Sequence, residues 1–143
     1  MNYPPFLNLN SIDEYRAHFE KTYCRCPLQT FDKYIVRFKK SDFEHAFYES
    51  SRRNGIKDNF SKNRALRMDW IKYALMDSTS ILKVGWDKNK KKYINKRRVA
   101  IVQKNYVIII LVTNPSKKIA RFITAFVANR YTINKILQSP EWK

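Results

Sequence analysis

Two arginines three positions apart, Arg64 and Arg67, lie in the run 61–75, where Leu66, Trp70 and Tyr73 or Ala74 recur at helical spacing. On a helix their guanidinium groups would neighbour each other and could clamp a phosphate; a solvated face with Asp69 nearby would give the same pattern. Further on, Lys88, Lys90, Lys91, Lys92, Lys96, Arg97 and Arg98 crowd around Tyr93 in a loop between strand-like segments. Such a cluster, with aromatics interleaved, suits neutralisation of a phosphate backbone, where every released counterion makes binding salt-dependent. His45 sits near the edge of an apolar face made by Phe43, Ala46 and Phe47.

Other chemistries find less material. No carboxylate pair, metal-ligand cluster or nucleotide-cradling loop stands out, and two glycines in 143 residues argue against a P-loop or Rossmann site. Cys24 and Cys26 form a lone C-x-C that completes no zinc site and is poorly spaced for a disulfide, so both are read as ordinary thiols. His18, beside Phe19 and with no partner in view, reads as a surface or packing histidine.

The net charge of +17 builds a positive field over much of so small a domain and points to a polyanionic partner. Nucleic acid comes first, an acidic protein second and an anionic membrane surface a distant third. A+T-biased coding would also enrich Lys, Asn and Ile without any such partner. At 44% hydrophobic and 15% aromatic the chain can bury a core, and its length suits one domain. The first residues have no basic segment followed by an apolar one, so a cytoplasmic site of action is expected, with no membrane contact.

The elements that must position these residues start from the run 106–113, a β-branched stretch too short for a bilayer and expected to lie mid-sheet. A turn at Asn114-Pro115 leads into a strand at 121–127, and 99–102 precedes the run through the tight connection 103–105. Short links favour an antiparallel meander, to which 81–84 adds a further strand. Strand alternation would put Phe122, Thr124 and Phe126 on one face and Ile123, Ala125 and Val127 on the other. Upstream, Ser11 caps a helix carrying Ile12, Tyr15, Phe19 and Tyr23, and 31–38 alternates as a short strand. Ser41 with Glu44 reads as a capping box for a helix over 41–48, Gly55 suggests a turn with positive φ, and 132–137 a last short helix. The expected class is α+β: N-terminal helices, then an antiparallel sheet of about four strands, with 1–40 preceding a core at 41–137.

The order of these pieces resembles the phage-type branch of the barnase, EndoU, colicin and RelE-like nucleases. It is carried by the helix Asp42-Phe-Glu-His45-Ala-Phe47, by Phe60-x-x-x-Arg64-x-x-Arg67-Met-x-Trp70-Ile71, by Tyr93 in a basic segment, and by Phe122-Ile-Thr124-Ala-Phe126. The resemblance spans roughly 41–137 and implies a curved antiparallel sheet and metal-independent RNase activity, often in toxins or effectors held by an inhibitor. It also implies roles: His45 as base or acid, Arg64 and Arg67 on the phosphate, Tyr93 stacking on a base or donating a hydrogen bond, and Thr124 placing its hydroxyl on the scissile phosphate. A half-buried β-former would equally explain Thr124. Lys90, Lys92, Arg97 and Arg98 would bind substrate. No cofactor is implied, and the partners would be RNA, such as tRNA or ribosome-bound mRNA, and an acidic inhibitor. One departure is that the matched region holds a single histidine, which leaves the second proton transfer to Lys, Arg or Tyr. A non-catalytic nucleic-acid binder and a protein that meets an acidic partner remain alternatives on the same fold.

Overall fold

A computed structural model of the chain describes residues 3–50, 58–87, 92–93 and 98–142. Residues 3–9 form no regular element, though Tyr3, Leu7 and Leu9 pack partly buried against the core, before Ser11 accepts the Glu14 amide and starts α1 (Ile12–Phe19), which continues as a π-helical turn (Glu20–Cys24). The Glu14 carboxylate accepts in return from the Asn10 amide at 2.8 Å, so the helix start is closed from both sides. Tyr15, Phe19 and Tyr23 form the buried stripe that their spacing predicts, while Ile12 stays exposed. There follow β1 (Leu28–Gln29), β2 (Ile35–Arg37), α2 (Asp42–Phe47), β3 (Tyr48–Glu49), β4 (Asn59–Phe60), α3 (Lys62–Ala65) and α4 (Trp70–Met76). The rest comprises β5 (Ile81–Val84), β6 (Trp86–Asp87), β7 (Lys92–Tyr93), β8 (Arg98–Gln103), β9 (Tyr106–Asn114), β10 (Ile119–Val127) and α5 (Arg130–Leu137).

The class is α+β, and β5, β8, β9 and β10 form the antiparallel meander that the short links predict. Two more strands bring the main sheet to six, ordered β1-β2-β10-β9-β8-β5, where about four were expected. The addition has a clear reason: the outer edge of β10 would otherwise show a row of unpaired backbone groups, and β2 pairs parallel with its first three residues. Beyond Arg121 no further strand pairs with that side of β10 among the described residues, and α2 and α3 lie in contact with β10. β9 lies mid-sheet as expected, with Tyr106 to Ile110 buried on both faces.

One face of the sheet packs against α1 to α4 through a core rich in aromatics, including Phe19, Phe43, Phe47 and Phe122, each fully buried. The other face is covered over part of its area by α5, whose Ile133, Ile136 and Leu137 lie on Ala100, Val102, Val107 and Ile109.

Three local expectations need correction. The run 61–75 is two helices joined by a turn, and its buried residues are Ala65, Met68, Ile71, Ala74 and Leu75, so of the expected stripe only the alternative Ala74 is in the core and Leu66, Trp70 and Tyr73 are not. Those last three face the N-terminal stretch: Leu7 N–H donates to the Leu66 carbonyl, and Tyr3 packs on Trp70 and Tyr73. Ser41 makes no side-chain cap; Asp42 accepts from the Lys39 amide instead. Strict alternation in β10 is broken between Phe122 and Thr124, which pair with Ile110 and Ile109, so Ile123 is an extra residue. Phe122 therefore faces the aromatic core together with Ala125, whereas Phe126 packs toward α5. Gly55 lies outside the described residues. Cys24 and Cys26 are free thiols, and no described helix is long and apolar enough to cross a membrane.

Candidate functional site

The bulge in β10 turns Thr124 toward the C-terminal end of α2. Helix ends leave carbonyls without intrahelical donors. Here Thr124 Oγ1 donates to the His45 carbonyl at 3.2 Å, and Arg64 Nη1 donates to the Ala46 carbonyl at 3.4 Å. The same guanidinium pairs through Nε with Glu49 Oε1 at 3.2 Å and lies 5.8 Å from the Phe126 ring centroid. Three segments far apart in sequence thus meet at one corner, with the His45 imidazole exposed on it.

Asp42, at the other end of α2, is buried, and burial pushes its carboxyl above the ordinary value of 3.8. The Lys39 amide opposes that rise most, followed by the charges of His45, Lys39 and Arg121. His45 and Arg121 therefore both act on this carboxylate, which links the corner to the neighbouring stretch of sheet.

That stretch carries a row of arginines which spacing along the sequence does not reveal. Arg121 on β10 is in register with Arg37 on β2 on one side and Leu111 on β9 on the other, and Leu111 is in register with Arg98 on β8. Residues so paired share a face, and neighbouring strands are roughly 4.8 Å apart. The face is the one α5 covers further along, because Val36, Ala120, Val112, Ile110 and Val99 on alternate positions fill the opposite core. Among the described residues, none of these three arginines has a carboxylate within ion-pair distance. Arg98 gains room from Gly85: a Cβ there would approach the Arg98 Cγ to 2.8 Å, so only glycine lets the arginine stem lie across β5's end. Like charges opposite each other destabilise a sheet, so Arg37 beside Arg121 is a local liability.

The expected site residues are therefore distributed over two places. His45, Arg64 and Thr124 meet at the α2 corner, and Arg98 stands in the row. Arg67 points elsewhere, to Asn63 and to the rings of Phe6 and Trp70. Lys92 and Tyr93 lie on β7, paired with Asp87 and Trp86, and their side chains are outside what is described. Lys90 and Arg97 are outside the described residues altogether. Arg37 and Arg121 were not anticipated; the signal was strand parity, since each alternates with a core residue, but their pairing is visible only in three dimensions. His18 has a partner after all: its Nε2 lies 2.7 Å from Asp69 Oδ1, tying α1 to the turn before α4. No group of three His, Cys, Asp or Glu side chains suited to a metal ion occurs among the described residues.

Compared with protein-family models, with curated proteins and with solved structures, the chain matches none.

Proposed function

We propose that this chain binds RNA across the open part of its sheet and cleaves it without a metal ion at the α2 corner. The observation that carries the reading is the row Arg37–Arg121–Arg98, three register-related positive side chains with no carboxylate within ion-pair distance among the described residues. A fold that tolerates such repulsion gains from an anion that removes it, and a phosphodiester backbone offers anions at repeated spacing. An acidic inhibitor would cover the same arginines.

In this reading His45 exchanges the proton of the 2′-hydroxyl or of the 5′-leaving oxygen and water exchanges the other, and Arg64 with Arg121 stabilises charge that grows on the phosphorus oxygens. Attack of the 2′-oxygen forms a bond to phosphorus as the bond to the 5′-oxygen breaks, leaving a 2′,3′-cyclic phosphate and a 5′-hydroxyl. Thr124, whose hydroxyl is given to the His45 carbonyl, positions the histidine.

Incubation of the protein with total RNA and tRNA in excess EDTA tests this, beside His45→Ala. Cyclic phosphate ends that are lost in the variant support it, and full activity in the variant overturns the corner. One observation favours a second reading, a nucleic-acid binder without turnover: Glu49 already neutralises Arg64. Intact RNA together with a salt-sensitive gel shift would select that reading.

A further inference from the structure

Arg64 and Arg67 both lie close enough to the buried Tyr106 hydroxyl for their charges to oppose the rise that burial imposes on it. They serve different surroundings, however. Arg64 is enclosed by the α2 corner, whereas the Arg67 guanidinium sits 4.6 Å from the Phe6 ring centroid and 5.4 Å from that of Trp70. The two rings are themselves 5.5 Å apart and tilted by 35°.

Phe6 is 50% exposed, and the segment on which it sits is anchored on both sides of it. Trp70 Nε1 donates to the Pro4 carbonyl at 2.8 Å, Leu7 N–H to the Leu66 carbonyl at 2.8 Å, and Lys62 Nζ to the Leu9 carbonyl at 3.1 Å. Asn63 fixes Arg67 through its backbone and side-chain oxygens at 2.6 and 2.7 Å. The segment that carries the ring and, separately, the cation against that ring are thus held by hydrogen bonds, while the ring itself rests on Arg67 and Trp70.

We infer that Phe6, backed by Arg67 and Trp70, is a stacking platform for one unpaired nucleobase of a single-stranded nucleic acid. A planar hydrophobic ring with a cation over one face suits a base stacked on the other, because the ring offers its remaining π-face and the guanidinium a charge for the nearby phosphate. A duplex keeps its bases stacked on each other and offers nothing to this ring. The inference rests on the nucleic-acid reading above, and it does not require cleavage.

The test uses a single-stranded 2′-deoxy oligonucleotide carrying one 2-aminopurine, which has no 2′-hydroxyl for transesterification, titrated with the intact protein, Phe6→Ala and Phe6→Trp. Base stacking quenches the probe. The expected result is strong quenching with the wild-type protein, roughly tenfold weaker binding and lost quenching in Phe6→Ala, and recovery in Phe6→Trp, while duplex affinity stays the same in all three. An unchanged melting temperature in Phe6→Ala confirms that its fold is intact. Equal binding and quenching by the wild-type protein and Phe6→Ala overturn the platform and leave the arginine row standing. No binding by the wild-type protein overturns both. Phe6-dependent binding without any RNA cleavage supports the platform and removes only the catalytic step.

Discussion

The outer face of the sheet is two surfaces built by the same strands. At one end Ala100, Val102, Val107 and Ile109 present small and aliphatic groups, and α5 lies on them; at the other, Arg98, Leu111, Arg121 and Arg37 occupy equivalent positions, Arg37 exposed and the other three partly so. Backbone geometry is shared, so side-chain type alone decides which half attracts a helix and which repels one. The covered half contributes burial, and the open half keeps charges whose mutual repulsion a partner can relieve.

Exchanging the properties of the halves should break this contrast. Arg37→Glu with Arg121→Glu is expected to lower RNA affinity on the order of 100-fold at low salt and to flatten the salt dependence, as measured by fluorescence anisotropy across a salt series. If affinity and slope stayed at wild-type values, the open half would not be the nucleic-acid surface. Ile136→Ala, on the covered side, should cost about 1–2 kcal/mol in urea denaturation and leave RNA affinity unchanged; a parallel loss of affinity would mean that the halves are not separable. Arg121→Leu should raise stability by a few tenths of a kcal/mol while weakening binding, because it removes a like charge from a registered pair. Lower stability would show that the arginine is held by contacts more valuable than the repulsion.

The smallest effect concerns pH. The Asp42 carboxyl is raised above 3.8 in the fold, so between that value and its folded value the native chain holds more proton than the unfolded one. Stability contributed by this group therefore falls as pH rises through that window. Asp42→Asn should remove the fall, and Arg121→Leu, which takes away a charge that lowers this carboxyl, should move it to higher pH. Urea midpoints between roughly pH 3.5 and 6 read both; an identical pH profile in Arg121→Leu would disconnect the arginine row from α2.

The sequence made the meander legible because 81–84, 99–102, 106–113 and 121–127 are apolar runs separated by turn chemistry, which needs only local reading. It made α1 legible for the same reason, since Ser11 and the Tyr15–Phe19–Tyr23 spacing agree. The partner of β2 was not legible, because Ile35-Val36-Arg37 alternates whichever strand it joins. The break within 61–75 escaped for a tertiary reason: residues 3–9 offer Leu66 and Trp70 a second surface, so the buried stripe moved to Ala65 and Met68. At the site, three motif residues did converge, but the bulge at Ile123 that turns Thr124 toward His45 has no sequence signature here. Arg37 and Arg121 look unremarkable as single letters and become a feature only through register.

The parallel pairing of β2 with β10 also sets an order of events as the chain is made. Ile35 emerges early, and its partner Ile119 comes only after every other strand of the sheet has been synthesised. Until then the aromatic side chains of α1 and α2 can collapse on one another, but Val36 has only β1 beside it, and its pairing with β10 is a non-local contact of the kind that slows folding and leaves apolar surface open to aggregation or chaperones. A chain stopped before Ile119 would carry Arg37 without Arg121, so the row is absent from every nascent fragment that ends there, and whatever activity depends on it starts only once β10 has been made.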